Sequence, residues 1–167
     1  RDGSEGEMAG NSIRCVGKYL YDNGIVNKEN ITVETASGIR SLELFTRNGK
    51  VSSVTVDMGK AYLKPAEIPA EFDGDSIIAR KAQIGAKEYS VTCVSVGNPH
   101  CVIFVDNVDR VDIEKVGPQI ENADIFPERI NTEFVRVVNS RTLKMRVWER
   151  GNGETLACGT GACAAAV

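Results

Sequence analysis

The chain has 167 residues, 42% apolar and 26% charged, and its 20 basic against 23 acidic side chains leave a formal net charge of −3. That balance excludes collagen-like, disordered and mucin-like proteins, and no run approaches the roughly 18 apolar residues that a membrane span needs. With four Tyr, five Phe and one Trp on a weakly acidic chain there is no basic stripe with stacking aromatics, so neither nucleic acid nor a membrane is an expected partner.

At this length a core can withdraw roughly 70% of the unfolded surface from water, enough for one large domain or two small lobes. The first residues, Arg1-Asp2-Gly3-Ser4-Glu5, carry no apolar signal core, and a cytoplasmic location is expected. Five cysteines (Cys15, Cys93, Cys101, Cys158 and Cys163) are an odd number for a disulfide framework and are expected to be reduced, most of them as small core residues. None is spaced C-x-x-C and there is a single histidine, so no metal centre is expected.

In chain order, Ile13, Val16, Tyr19 and Leu20 recur at helical spacing over 11–22, with Asn11 or Ser12 as N-cap and Gly24 just past the end. Strands follow at 31–35, 41–46 and 51–57, the last two joined by Asn48-Gly49, a strong hairpin signal. Pro65 to Pro69 interrupts the pattern, and a lobe boundary is placed there, dividing 1–64 from 65–167. Strands are then predicted at 76–83 and 88–96 around Gly85, and at 101–105, followed by a helix over 111–121. A second hairpin follows, 132–138 and 142–148 around Asn139-Ser140. A glycine-rich loop, 151–153, leads into a helix that ends with the chain, so the chain is expected to be a fragment. The class is α+β with mixed sheets.

The two ends of the chain repeat one another. Arg1-Asp2-Gly3-Ser4-Glu5-Gly6-Glu7-Met8-Ala9-Gly10-Asn11-Ser12 and Arg150-Gly151-Asn152-Gly153-Glu154-Thr155-Leu156-Ala157-Cys158-Gly159-Thr160-Gly161 share R-x-x-x-E-x-x-x-[AC]-G-[NT]-[SG]. In each copy a polar, glycine-bearing loop delivers one residue, Ala9 or Cys158, immediately before a glycine and a helix start. A thiol beside the unpaired N–H groups and positive dipole end of a helix is expected to have a lowered pKa, which marks Cys158 as a reactive thiol. The same donors bind anions, so Gly10-Asn11 and Gly159-Thr160 could each present N–H groups to a carboxylate. Two such helix starts facing one another would flank the neighbouring carbon from both sides, the arrangement that inversion of a stereocentre requires. The alternative is that both segments are ordinary turns before capped helices and Cys158 is merely buried.

Four stretches in order resemble the diaminopimelate epimerase family. They are Asp2 to Cys15, Gly97-Asn98-Pro99-His100-Cys101-Val102, Glu128 to Phe134, and Val147-Trp148-Glu149 continuing through Cys163. The resemblance implies a cofactor-independent epimerase that interconverts LL- and meso-2,6-diaminopimelate in lysine and peptidoglycan-precursor synthesis. It also implies two pseudo-symmetric lobes of mixed sheet wrapped around a central helix, with the first lobe incomplete here. On that resemblance Cys158 is one of two acid/base cysteines, and Ala9 stands where the other belongs. Gly10, Asn11, Gly159 and Thr160 hold the reacting end of the substrate; Asn98, Asn131, Glu149 and Arg150 hold largely its distal end. His100, together with Glu149, tunes the cysteines' protonation. Because a methyl group neither takes nor gives a proton, Ala9 is expected to impair activity. A racemase or isomerase of the same fold acting on another substrate, a non-catalytic amino-acid-binding remnant, and a redox role for Cys158 are the alternatives, and a homodimer is left open.

Overall fold

A helix with an apolar stripe needs a sheet to cover it, and each half of the chain pairs helix with sheet. The computed structural model describes residues 9–167, which divide into two compact units between Lys60 and Ala61, four residues before the predicted boundary.

In the first unit, α1 (Gly10–Asp22) packs on an antiparallel sheet of β1 (Asn30–Thr35), β2 (Gly38–Arg47) and β3 (Lys50–Val56), in the order β1-β2-β3. Ile13 of the helix and Leu42, Leu44 and Val51 of the sheet form its core. Contact is close because residue 17 is glycine: a Cβ there would lie 2.8 Å from Leu42 Cδ2. The hairpin between β2 and β3 turns on Asn48 (φ 53°) and Gly49 (φ 74°), the left-handed pair that a two-residue turn of this twist demands. Asp22 ties the end of α1 to the sheet, accepting from Lys18 Nζ at 2.7 Å and from the Val51 N–H at 2.8 Å.

The second unit holds a six-stranded sheet, β4 (Arg80–Ile84), β5 (Lys87–Ser95), β6 (Pro99–Phe104), β7 (Asn131–Asn139), β8 (Thr142–Glu149) and β9 (Gly153–Thr155), hydrogen-bonded in that order. Every pair is antiparallel except β6 and β7, which run parallel. A parallel pair requires a crossover, and α2 (Ile113–Glu121) supplies it. Alternation along the strands sends Cys93, Cys101, Ile103 and Phe134 to the α2 side with Ile113 and Ile120. Val94, Val102 and Val135 point the other way, against Ala164 and Ala165 of α3 (Gly159–Ala166). β6 and the start of β7 are thereby buried on both faces, as parallel strands covered by helices on both sides are.

The α+β class and both hairpins match the sequence reading, and several boundaries are corrected. The strand expected at 76–83 begins only at Arg80; Ala79 adopts a φ of 48°, outside strand geometry. The helix expected from 111 starts at Ile113, after a short 3-10 turn over Val108–Arg110. Part of the glycine loop pairs with β8 as β9, a strand too short and polar to announce itself. Of the five cysteines only Cys93 and Cys101 are buried; Cys15 is exposed and Cys158 and Cys163 are intermediate, so most are not core residues.

Candidate active site around Cys158

The N-caps differ from those expected. In α1 the cap is Ala9, not Asn11 or Ser12, with φ −130° and ψ 95°, and its carbonyl accepts the first helical bond from Ile13 N at 3.0 Å. In α3 the cap is Cys158 itself, with φ −124° and ψ 114°, and its carbonyl accepts from Ala162 N at 3.0 Å. From Ala9 and from Cys158 onward the two copies are alike, each with the residue before glycine as cap; the rest of the first copy, residues 1–8, lies outside the described residues. They differ in one respect. The Cys158 sulfur caps its helix, accepting from the Gly161 N–H at 3.3 Å, whereas Ala9 has no side-chain acceptor. Asn11, in the first turn of α1, accepts from Arg14 Nη2 at 2.5 Å, and Gly10 is buried at the start of the same helix.

Around the sulfur, Thr160 Oγ1 stands 3.3 Å away and accepts from Asn98 Nδ2 at 3.2 Å. Asn98 Oδ1 lies 2.9 Å from His100 Nε2, and His100 Nδ1 lies 2.7 Å from Glu133 Oε1. His100 and Glu133 are both 0% exposed. The predicted residues Asn98, His100, Cys158 and Thr160 are thus joined in one hydrogen-bonded group, with Gly159 between the last two in the chain, and His100 reaches the thiol through Asn98 and Thr160 rather than directly. Glu133 was missed. Between Thr132 and Phe134 the sequence gives it no signal; it is the burial of β7 on both faces that marks an acid there.

Burial is the largest influence on the Cys158 thiol and pushes its pKa up. The bonds from Thr160 and Gly161 oppose that shift, while the Glu133 and Glu149 carboxylates add to it. The lowered pKa expected from the helix start alone is therefore corrected: desolvation of a partly buried sulfur facing two carboxylates outweighs the cap.

Asn131 is committed to backbone on both sides of its amide. Nδ2 donates to the Pro99 carbonyl at 2.8 Å, and Oδ1 accepts from the Arg150 N–H at 2.9 Å. This clamps the start of β6 to the turn after β8. Glu149 Oε1 accepts from the Thr155 hydroxyl, and Arg150 Nη1 donates to the Glu128 carbonyl at 3.0 Å. Glu121, on α2, completes the support by accepting from Trp148 Nε1 at 2.7 Å and from the Gly151 N–H at 2.8 Å.

Solved structures share this fold. A probable proline racemase from Agrobacterium radiobacter superposes with a TM-score of 0.71 at 14% identity, over 96% of this chain and 51% of that one. A hydroxyproline epimerase from Agrobacterium vitis gives 0.64 at 18% identity, over 96% and 50%. A phenazine biosynthesis protein of the PhzF family from Bacillus anthracis gives 0.57 at 15% identity, over 96% and 56%. The architecture is therefore the one common to proline racemase-like and PhzF-like proteins.

Within that class the chain belongs to the diaminopimelate epimerase family, whose model matches residues 1–64 and 92–167. Proteins named diaminopimelate epimerase from Acetivibrio thermocellus, Desulfovibrio desulfuricans and Methanococcus maripaludis are 57%, 52% and 53% identical to it. The matches cover 98 to 99% of this chain but only 59 to 60% of those relatives' lengths.

Proposed function

We propose that this chain carries half of the acid/base machinery of a diaminopimelate epimerase, with Cys158 as the surviving base and Ala9 in the place of its partner. The observation that carries the reading is the matched pair of helix caps, one bearing a sulfur and the other a methyl group. The family membership supports the substrate.

The α-proton of an amino acid is weakly acidic, so the site must stabilise negative charge that develops as it leaves. Gly159 and Thr160 occupy the first turn of α3, where N–H groups have no carbonyl of their own helix to meet, and they suit a substrate carboxylate. The Cys158 thiolate removes the α-proton, forming S–H and leaving the electron pair on carbon; a thiol on the opposite face would return a proton there and invert the centre. Ala9, at the sequence position that the family resemblance gives to that second thiol, has no proton to give, so the proton comes back only from Cys158 and configuration is retained. Glu149 and Arg150, beside the clamp made by Asn131, are assigned to the distal amino-acid end, for which a guanidinium fork suits the carboxylate. Such thiol chemistry requires reduced cysteines, in keeping with a cytoplasmic enzyme.

Incubation with LL- and then meso-diaminopimelate in deuterated water tests the assignment, following α-deuterium uptake and stereochemistry. Uptake on one face without inversion is expected, with inversion appearing on Ala9→Cys; inversion without that substitution would overturn it. Ala9 itself favours a second reading, an amino-acid-binding chain without proton exchange. Binding with no deuterium uptake would select that one.

A further inference from the structure

Glu133 is the buried acid to which the mechanism gives no task. Its carboxylate is 0% exposed, on the face of β7 whose neighbours Val102 and Val135 are apolar. Oε1 meets His100 Nδ1 at 2.7 Å, and Oε2 has no hydrogen-bond partner among the described residues. A carboxylate in such a place is costly unless it is paired, and packing alone would be served better by a third valine.

The pairing has a direction. Asn98 presents its side-chain carbonyl, which only accepts, to His100 Nε2, so that nitrogen bears a proton. Nδ1 faces a carboxylate and holds a proton against it. With its carbonyl used, Asn98 donates Nδ2–H to Thr160 Oγ1, and the Thr160 hydroxyl hydrogen is left for the Cys158 sulfur. All the bonds point from the ring toward the sulfur, which also receives the Gly161 N–H. Were the ring neutral at Nε2, the amide would reverse, Thr160 would donate to Asn98, and the sulfur would lose a donor.

We propose that Glu133 is a positioning residue for Cys158: by holding a proton on His100 Nδ1 and balancing the ring's charge, it fixes the direction of the Asn98 and Thr160 bonds so that the hydroxyl donates to the sulfur. The proposal rests on Cys158 being the acid/base group. The charged groups facing the sulfur are Glu133 from β7 and Glu149 from β8; β6 contributes His100, and the first turn of α3 contributes Thr160 and its backbone. A carboxylate that acted only as a nearby charge would disfavour the thiolate. Removing Glu133 therefore has opposite effects under the two roles: loss of positioning slows the thiol, and loss of a mere charge quickens it.

His100 is the single histidine of the chain, so its ring nitrogens are observed by NMR without assignment variants. In the full unaltered chain each nitrogen is expected to carry a proton, held by the oxygen it faces, and in Glu133→Gln the proton on Nδ1 is expected to be lost. In parallel, the rate of Cys158 alkylation by iodoacetamide is read against pH by mass spectrometry of its peptide. Glu133→Gln should move the profile to higher pH, with about a tenfold slower reaction at neutral pH for each unit of displacement. Thr160→Val should move it likewise while leaving both ring protons in place. A neutral ring in the unaltered chain, or an unchanged or faster reaction in Glu133→Gln, would overturn the proposal. The ring measurement on the unaltered chain decides even if the variant fails to fold, and neither readout depends on diaminopimelate.

Discussion

Glu133 Oε1 lies where a side chain on residue 161 would have to begin: a Cβ built on Gly161 would stand 2.4 Å from it. The carboxylate cannot swing aside, because it is fully buried and bonded to His100 at 2.7 Å. Glycine at this position lets the third residue of α3 rest on the acid while its N–H reaches the Cys158 sulfur. Gly161→Ala gains helix propensity of up to about 1 kcal/mol but forces the acid or the helix start to shift, an overpacking cost of about 1–3 kcal/mol. The expected result is a lower urea midpoint together with an altered Cys158 alkylation profile; a midpoint that rises would show that the acid relaxes freely.

A second expectation concerns alkaline pH. Burial pushes the Cys158 thiol up, and Cys101 is held well above the ordinary thiol range by its hydrogen bond to Cys93 and by burial. Both groups ionise at lower pH in the unfolded chain than in the folded one. Between the unfolded value, about 8.5, and the higher folded values, the unfolded state binds fewer protons, so stability falls as pH rises through that window. The stabilisation is complete below it. Urea unfolding followed by Trp148 fluorescence between neutral pH and pH 10 should show a falling midpoint, less steep in Cys101→Ala relative to that variant's own neutral value. A midpoint indifferent to alkali would contradict the raised thiols.

The periodic parts of this fold were legible and the caps were not. Ile13 to Leu20 announces α1 by spacing, and Asn48-Gly49 announces its hairpin by the left-handed backbone those residues tolerate. Cap identity depends on where the backbone leaves extended geometry, and composition favours Asn11 or Ser12 over Ala9 for that place. The backbone is extended at Ala9 and helical from Gly10, against that preference. At the site, the repeat singled out Cys158, but the direction of its pKa shift was misjudged because burial and the approach of Glu133 are properties of the folded sheet. His100 to Glu133 is likewise a contact across parallel strands, 33 residues apart, and no local pattern encodes it.

Glu121 should prove a structural acid despite its place near the site. It is 6% exposed and accepts from Trp148 Nε1, from the Gly151 N–H and from Arg129 Nη1 at 3.2 Å. Glu121→Ala leaves the half-buried indole and the loop N–H without an acceptor, at a cost of about 2–4 kcal/mol. Calorimetry should show a lower Tm, and the Trp148 emission should change as its N–H partner is lost. Preserved stability with lost turnover would instead place the carboxylate in the chemistry.

Asn131 separates a clamp from a substrate contact. Its amide joins the Pro99 carbonyl at the start of β6 to the Arg150 N–H beyond β8, and so fixes the Arg150 backbone beside β6. If the clamp is its main task, Asn131→Ala leaves two backbone groups without their partner and costs about 2–4 kcal/mol, lowering the urea midpoint as well as weakening diaminopimelate binding. A residue that only touched substrate would lose affinity at unchanged midpoint. The Cys158 alkylation profile is the control: the sulfur's neighbours are Thr160 and Gly161, not Asn131, so it should not move. Weaker binding, a lower midpoint and an unmoved thiol profile are the expected combination, measured by calorimetric titration, urea unfolding and peptide-resolved alkylation. Affinity lost alone would transfer Asn131 to direct recognition of the substrate.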